Sequence, residues 1–312
     1  MSRATDVVNR LKGPVVPVNL CFASDDQVDF ETMRKYVNWM CEQKVPVILL
    51  TYGSSDYIWL SDADIEQLMT DFAEVINGRS LFVVSSNWCP PKVCREFLKK
   101  ADACGADAVK VQTNPWMIST GGLDPYQVIP GYFDRIEGAA DIPLLLWGHS
   151  IASYPVPVVA ELAKRPNIVG MKNDDEMFAY YYDCCRATAD EDFNVISGGQ
   201  MRNYVYGHQV GSTGYLCPIA PFVPHIANEF DDHVVAGRYD QAWQMVFQYE
   251  EPWLKGACDL GWLQSLRSAY ELYGLFPHNR CVKPAPTHTP EQREQVRQLL
   301  ESTFGPIKKA NL

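Results

Sequence analysis

The chain has 312 residues, 47% of them apolar and 21% charged, the balance of a globular protein with one large core or two smaller ones. Its 27 basic and 38 acidic side chains leave a formal charge of −11, which argues against general nucleic-acid binding but not against a small anionic substrate. No apolar run reaches the length of a membrane span, so no membrane partner is expected.

A first strand is predicted over Pro14 to Leu20, its prolines suiting a strand start. Asp29 caps a helix to about Glu42, with Phe30, Met33, Tyr36, Val37 and Met40 at helical spacing. Val45 to Leu50 is a strand; Ser61 caps the next helix, and Asp64 completes an acidic form of the capping box. Leu81 to Val84 is a strand, and Pro90-Pro91 opens a helix, where proline is tolerated. Strands at Ala108 to Gln112 and Ile142 to Trp147 are followed by helices at Asp124 to Ala140 and Pro155 to Lys164. A strand over Ile168 to Lys172 meets the polar turn Asn173-Asp174-Asp175-Glu176 and a helix to Ala187. Phe193 to Ile196 and Gly214 to Cys217 are the last strands, with helices at Gln200 to His208 and Pro221 to Val235.

Eight strand–helix pairs in succession predict a closed parallel (β/α)8 barrel over residues 1–236. An open doubly wound sheet would want a glycine-rich loop after the first strand, and Asn19-Leu20-Cys21-Phe22 is not one. From Gly237 the alternation stops. Tyr239 to Trp253, Cys258 to Tyr273 and Pro290 to Thr303 read as a three-helix extension over residues 237–312.

Of the ten cysteines, Cys41, Cys94, Cys104, Cys184 and Cys185 fall in predicted helices. Met1 to Lys12 is polar rather than leader-like, and no Cys/His spacing suggests zinc. Reduced, buried thiols in a cytoplasmic protein are expected.

In such a barrel the chemistry sits where the strands end. Lys172 closes an apolar strand, and a dry amine there can condense with a ketone or aldehyde to a Schiff base. A lysine snorkelling to solvent from a strand end is the competing reading. Lys110, between Val109 and Val111, is a rival amine that the pattern does not separate from Lys172. The small polar run Tyr52-Gly53-Ser54-Ser55-Asp56 suits a carboxylate, while Trp116 and Trp147 give the mouth apolar walls.

With these residues in place, the chain resembles the dihydrodipicolinate synthase / N-acetylneuraminate lyase family from Pro14 to about Ser302. These barrel enzymes join a lysine to a 2-oxo acid, usually pyruvate. Val169-Gly170-Met171-Lys172 matches the strand that carries the Schiff-base lysine, so the resemblance assigns the amine to Lys172 and makes Lys110 structural. Tyr52 to Asp56, followed by Leu60-Ser61, sits where the family has Gly-Thr-Thr-Gly-Glu before Leu-Ser/Asn. Gly105-Ala106-Asp107-Ala108, Ser197-Gly198, Gly211-Ser212-Thr213-Gly214 and Val282-Lys283-Pro284 match further motifs.

The departures bear on activity. Asn114-Pro115-Trp116 replaces the family's Pro-Tyr-Tyr, so Trp116 occupies the position of the proton-shuttling tyrosine, a role closed to an indole. The hydroxyl that serves that tyrosine falls on Gly53. Trp147-Gly148-His149-Ser150 replaces Tyr-Asn-Val-Pro. No arginine lies between Trp116 and Tyr132, where lysine-pathway synthases bind an aldehyde's carboxylate. Gln200 and Met201 replace the acidic pair of sialic-acid lyases. Neither of those two reactions is therefore expected.

The resemblance implies a divergent Schiff-base lyase, an aldolase or dehydratase, acting on a 2-oxo acid such as pyruvate or a 2-oxo-3-deoxy acid. Lys172 is the nucleophile; Ser54, with backbone of Gly53 and Ser55, holds the carboxylate; Asp56, Trp147, Gly198 and Gln200 complete the substrate site. His149 is the candidate proton shuttle, with Asp56, Tyr126 and Tyr132 behind it. A tetramer built from dimers is implied, and no metal or organic cofactor. A member that has lost turnover and binds a 2-oxo acid as a sensor or partner protein is the alternative.

Overall fold

The computed structural model describes residues 2–24, 27–115, 117, 123–149, 153–175, 177–310 and 312. Its strands are β1 (Gly13–Pro17), β2 (Phe22–Ser24), β3 (Gln27–Val28), β4 (Val47–Leu50), β5 (Leu81–Ser85), β6 (Ala108–Lys110), β7 (Leu144–His149), β8 (Ile168–Asp174), β9 (Asn194–Ser197) and β10 (Gly214–Leu216). Eight of them close a parallel barrel in the order β1-β10-β9-β8-β7-β6-β5-β4, and β2 and β3 pair as a small hairpin. The predicted (β/α)8 barrel is therefore the fold.

Strands buried on both faces read as unbroken apolar runs, and all of Val47-Ile48-Leu49-Leu50 is buried. Alternation sorts them by face. Val15, Val47, Leu49, Leu81, Val83, Leu145 and Ile196 fill the lumen. Val16, Ile48, Leu50, Phe82, Val84, Val109 and Leu146 pack against the surrounding helices. The predicted caps form: Asp29 accepts from Thr32 N at 3.0 Å, and Ser61 and Asp64 make a reciprocal capping box.

One irregularity fixes which side chains face the lumen. Leu144 pairs with Ile168 but Leu145 pairs with Gly170, so β8 carries one extra residue. The bulge shifts the alternation by one, and Lys172 rather than Met171 falls beside Trp147 on the inner face. A Cβ on Gly170 would stand 2.6 Å from Asn194 O, so the close approach of β8 and β9 here needs glycine.

The floor comes from a helix that the polar stretch Met1 to Lys12 does not predict. Arg3–Arg10 is helical, capped by Ser2, and pushes Val7 and Leu11 into the lumen cluster. Asn194 Nδ2 donates to Val8 O and Leu11 O at 2.6 and 3.1 Å, tying the helix end to the barrel.

The C-terminal residues form helices at Tyr239–Met245, Glu251–Leu260, Trp262–Leu272 and Pro290–Phe304. A π-helical turn over Val246–Glu250 joins the first two, so the expected break between Trp253 and Cys258 is absent. Pro252 cannot donate to the carbonyl four residues back, and the widened turn lies where that carbonyl sits. The chain breaks instead at Gly261, whose φ of 101° suits glycine. Among the described residues no helix is long and apolar enough to cross a membrane.

Candidate active site

The inner ends of β6, β7 and β8 bring four side chains together. Lys172 is 7% exposed, and its Nζ donates to both oxygens of Asp174. Trp147 Nε1 donates to Asp174 Oδ2 at 2.6 Å. Lys110 Nζ lies over the Trp147 ring, 5.4 Å from its centroid. Residues two apart on a strand share a face, so the run of β8 to Asp174 places Asp174 beside Lys172. The sequence predicts a strand end at Lys172 and a turn at Asp174; the strand continues because Asn173 and Asp174 still pair with Gly148 and His149.

Two amines and one carboxylate in a dry lumen shift one another. Burial, then the charge of Lys172, pulls Lys110 down to about 7, opposed by Asp174. Burial pushes the Asp174 carboxyl up, but Lys172, Lys110 and the indole N–H more than offset it and hold the group below the usual carboxylate range.

Gly198 makes room for this pair. A Cβ there would run into Asp174 Oδ1 and stand 2.7 Å from Asn173 O. Beyond Gly198 opens a cavity of about 310 Å³, lined among others by Asn19, Ser54, Gly198, Gln200, Trp262 and Leu266. Gln200 starts its helix with a left-handed φ of 72°, and its Oε1 is buried with no hydrogen-bond partner among the described residues. Backbone strain and an unsatisfied acceptor at one residue mark a place shaped for something other than packing.

The loop after β4 divides its residues between cavity and scaffold. A Cβ on Gly53 would meet nothing within 4 Å. Ser54 O accepts from Asn19 Nδ2 at 2.8 Å. The Ser55 hydroxyl is taken up by Thr51 N and Val18 O. Asp56, with a φ of 54°, is 5% exposed and pairs with Arg267 Nη2 at 2.6 Å. Burial pushes Asp56 upward and Arg267 opposes it. Arg267 also donates to Leu20 O, and Tyr270 Oη to Asn19 Oδ1 at 2.5 Å, so a C-terminal helix buttresses two mouth loops.

His149 is half-buried, its ring 5.2 Å from that of Trp147. Tyr132 Oη is turned away, donating to Cys89 O at 2.9 Å, and Tyr126 is exposed. Trp116 and Ser150 lie outside the described residues. The mouth's aromatic wall runs from Tyr52 to Trp88 (4.9 Å) and on to Trp147 (6.1 Å). Trp88, in the segment Ser85 to Trp88 that the sequence places at the strand ends, thus joins Trp147 in that wall.

The model of the Dihydrodipicolinate synthetase family matches residues 10–303. A 4-hydroxy-tetrahydrodipicolinate synthase of Methanosarcina barkeri is 25% identical over 294 residues, covering 89% of this chain and 94% of that protein. A probable 5-dehydro-4-deoxyglucarate dehydratase of Streptomyces avermitilis is 23% identical over 234 residues, covering 72% and 68%. The crystal structure of the chloride-inhibited dihydrodipicolinate synthase of Acinetobacter baumannii, complexed with pyruvate, superposes with a TM-score of 0.79 at 20% identity, covering 94% and 98%.

Proposed function

This chain belongs to the Dihydrodipicolinate synthetase family and is a lyase, and from that premise we propose that it joins Lys172 to the carbonyl carbon of a 2-oxo acid as an imine. The imine then breaks a carbon–carbon or carbon–oxygen bond further along the substrate. The observation that carries this reading is the inward-facing Lys172 on bulged β8, dry and held by Asp174, which packs against Gly198 in the cavity wall. Pyruvate and 2-oxo-3-deoxy acids are the substrate class. A relative solved with pyruvate and another named as a dehydratase of a deoxy sugar acid support it.

Lys172 is the nucleophile, and its iminium draws electrons from the neighbouring carbon as a metal ion would otherwise do. Ser54, with backbone of Gly53 and Ser55, holds the carboxylate. Asp56 fixes that loop through Arg267. His149 moves the proton at the substrate chain, and Trp147 with Trp88 screens the imine from water. Trp116, aligned in sequence with the family's tyrosine, carries no proton. Gln200 Oε1 accepts from a hydroxyl of the substrate tail.

The test is reductive trapping. With pyruvate and borohydride the intact protein should gain one reduced adduct, which peptide mapping assigns to Lys172. Turnover on a panel of 2-oxo-3-deoxy acids then names the substrate. No adduct with any 2-oxo acid would overturn the imine reading.

For the assembly we propose a homotetramer. Phe178, Tyr206 and Phe247 are 43, 49 and 58% exposed and run together through Trp243, an aromatic strip suited to a second copy. Sedimentation equilibrium should show a tetramer, and Phe247→Glu should reduce it to dimers; an unchanged mass would dismiss the strip as an interface.

A further inference from the structure

Resting on the imine reading, we propose that Asp174 is a catalytic residue that ferries protons between Lys172 Nζ and the departing carbonyl oxygen. The geometry points to it directly. Both carboxylate oxygens contact Nζ, the atom that must lose protons for the imine to form. Trp147 Nε1 fixes one of those oxygens at 2.6 Å, and Gly198 leaves the other the space it occupies. Two of the other proton carriers weighed from the sequence are committed elsewhere: Asp56 to Arg267, and Tyr132 to Cys89 O.

The step balances without an outside reagent. The Lys172 ammonium passes one proton to Asp174, and its lone pair forms the N–C bond as the carbonyl π pair moves to oxygen. Asp174 returns that proton to the oxygen, giving a carbinolamine whose nitrogen still carries two hydrogens and the positive charge. Asp174 takes one of these and delivers it to the hydroxyl. The C–O bond breaks, water leaves with both protons that began on Nζ, and the nitrogen pair closes the iminium. Asp174 ends as a carboxylate beside a cation, as it began. Lys110, within Coulombic reach, favours the return of Asp174 to its carboxylate after each transfer. This leaves His149 for the proton chemistry of the substrate chain.

The experiment follows the rate of adduct formation with pyruvate, quenched by borohydride at intervals, in the wild type, Asp174→Asn and Asp174→Ala. Both variants should slow by about 100-fold, the lower range of general acid–base effects, with the adduct still on Lys172. Sodium formate, a carboxylate small enough for the space left in Asp174→Ala, should restore about tenfold of the loss. Asp174→Asn keeps the side chain's shape and an oxygen for the indole N–H, so it serves if the alanine variant does not fold. Wild-type pace in either folded variant, or a slow Asp174→Ala that formate leaves unchanged, would overturn the ferry and leave the imine intact. A wild type that gives no adduct would instead sink the imine reading, and the ferry with it.

Discussion

Lys172→Ala is expected to lose the borohydride-trapped adduct entirely and to lower turnover by about 10⁴-fold or more, as removal of a covalent nucleophile does. The variant also discriminates between the two lumen amines. Lys110 is the drier, at 2% exposed, and burial pulls it down to about 7, so on dryness alone it is a credible nucleophile. Lys172 has what Lys110 lacks, a carboxylate in contact with its nitrogen, and that carboxylate packs against Gly198 in the cavity wall. An adduct that persisted in Lys172→Ala and mapped to Lys110 would reverse the assignment. The variant should fold less stably, because a buried carboxylate left without its partner costs about 3–5 kcal/mol. The indole N–H and Lys110 remain on Asp174, so the loss should fall at the lower end of that range.

Lys110→Met should act in the opposite direction on stability and depress catalysis. An unfolded lysine holds its proton to about pH 10.5, whereas burial and Lys172 leave Lys110 with a value of about 7 in the fold. Between those two values unfolding takes up a proton, so the wild type should gain stability as pH rises from about 7 to 10. Below 7 the full cost of a buried ammonium applies. Methionine removes it, and denaturant unfolding at pH 6.5 should show the variant more stable by roughly 3 kcal/mol, the proton's cost less what Asp174 loses with a cation. The gap should close by pH 10. A variant less stable at every pH would show that Lys110 is paired in the fold and that its burial carries no such cost. Slower adduct formation in Lys110→Met would show that this amine, costly to bury, serves the chemistry.

The fold was legible because each barrel strand is a short apolar run between turns, a pattern that burial on both faces imposes. Ser61 with Asp64 and Asp29 announced their helices by local chemistry that needs no tertiary context. The first helix escaped because Val7 and Leu11 are too few to make a period in a polar stretch; they count as core only once a barrel stands above them. Lys172 was legible by its place on the strand, yet its facing depends on the bulge at Val169-Gly170, which no alternation count reveals. Asp174 was hidden by its polar neighbours, which look like a turn. The Asp56–Arg267 and Asn19–Tyr270 contacts join residues 211 and 251 positions apart, and nothing local forecasts them.

That first separation has a consequence for how the enzyme is made. At about 5–20 residues per second, a ribosome needs roughly 10 to 40 s to extend the chain from Asp56 to Arg267. Throughout that interval the nascent mouth holds an acidic side chain whose guanidinium does not yet exist. The loop after β4 therefore lacks this anchor until Arg267 has been made. A transcript cut short before Arg267 would yield the strands and Lys172 but leave Asp56 without its partner.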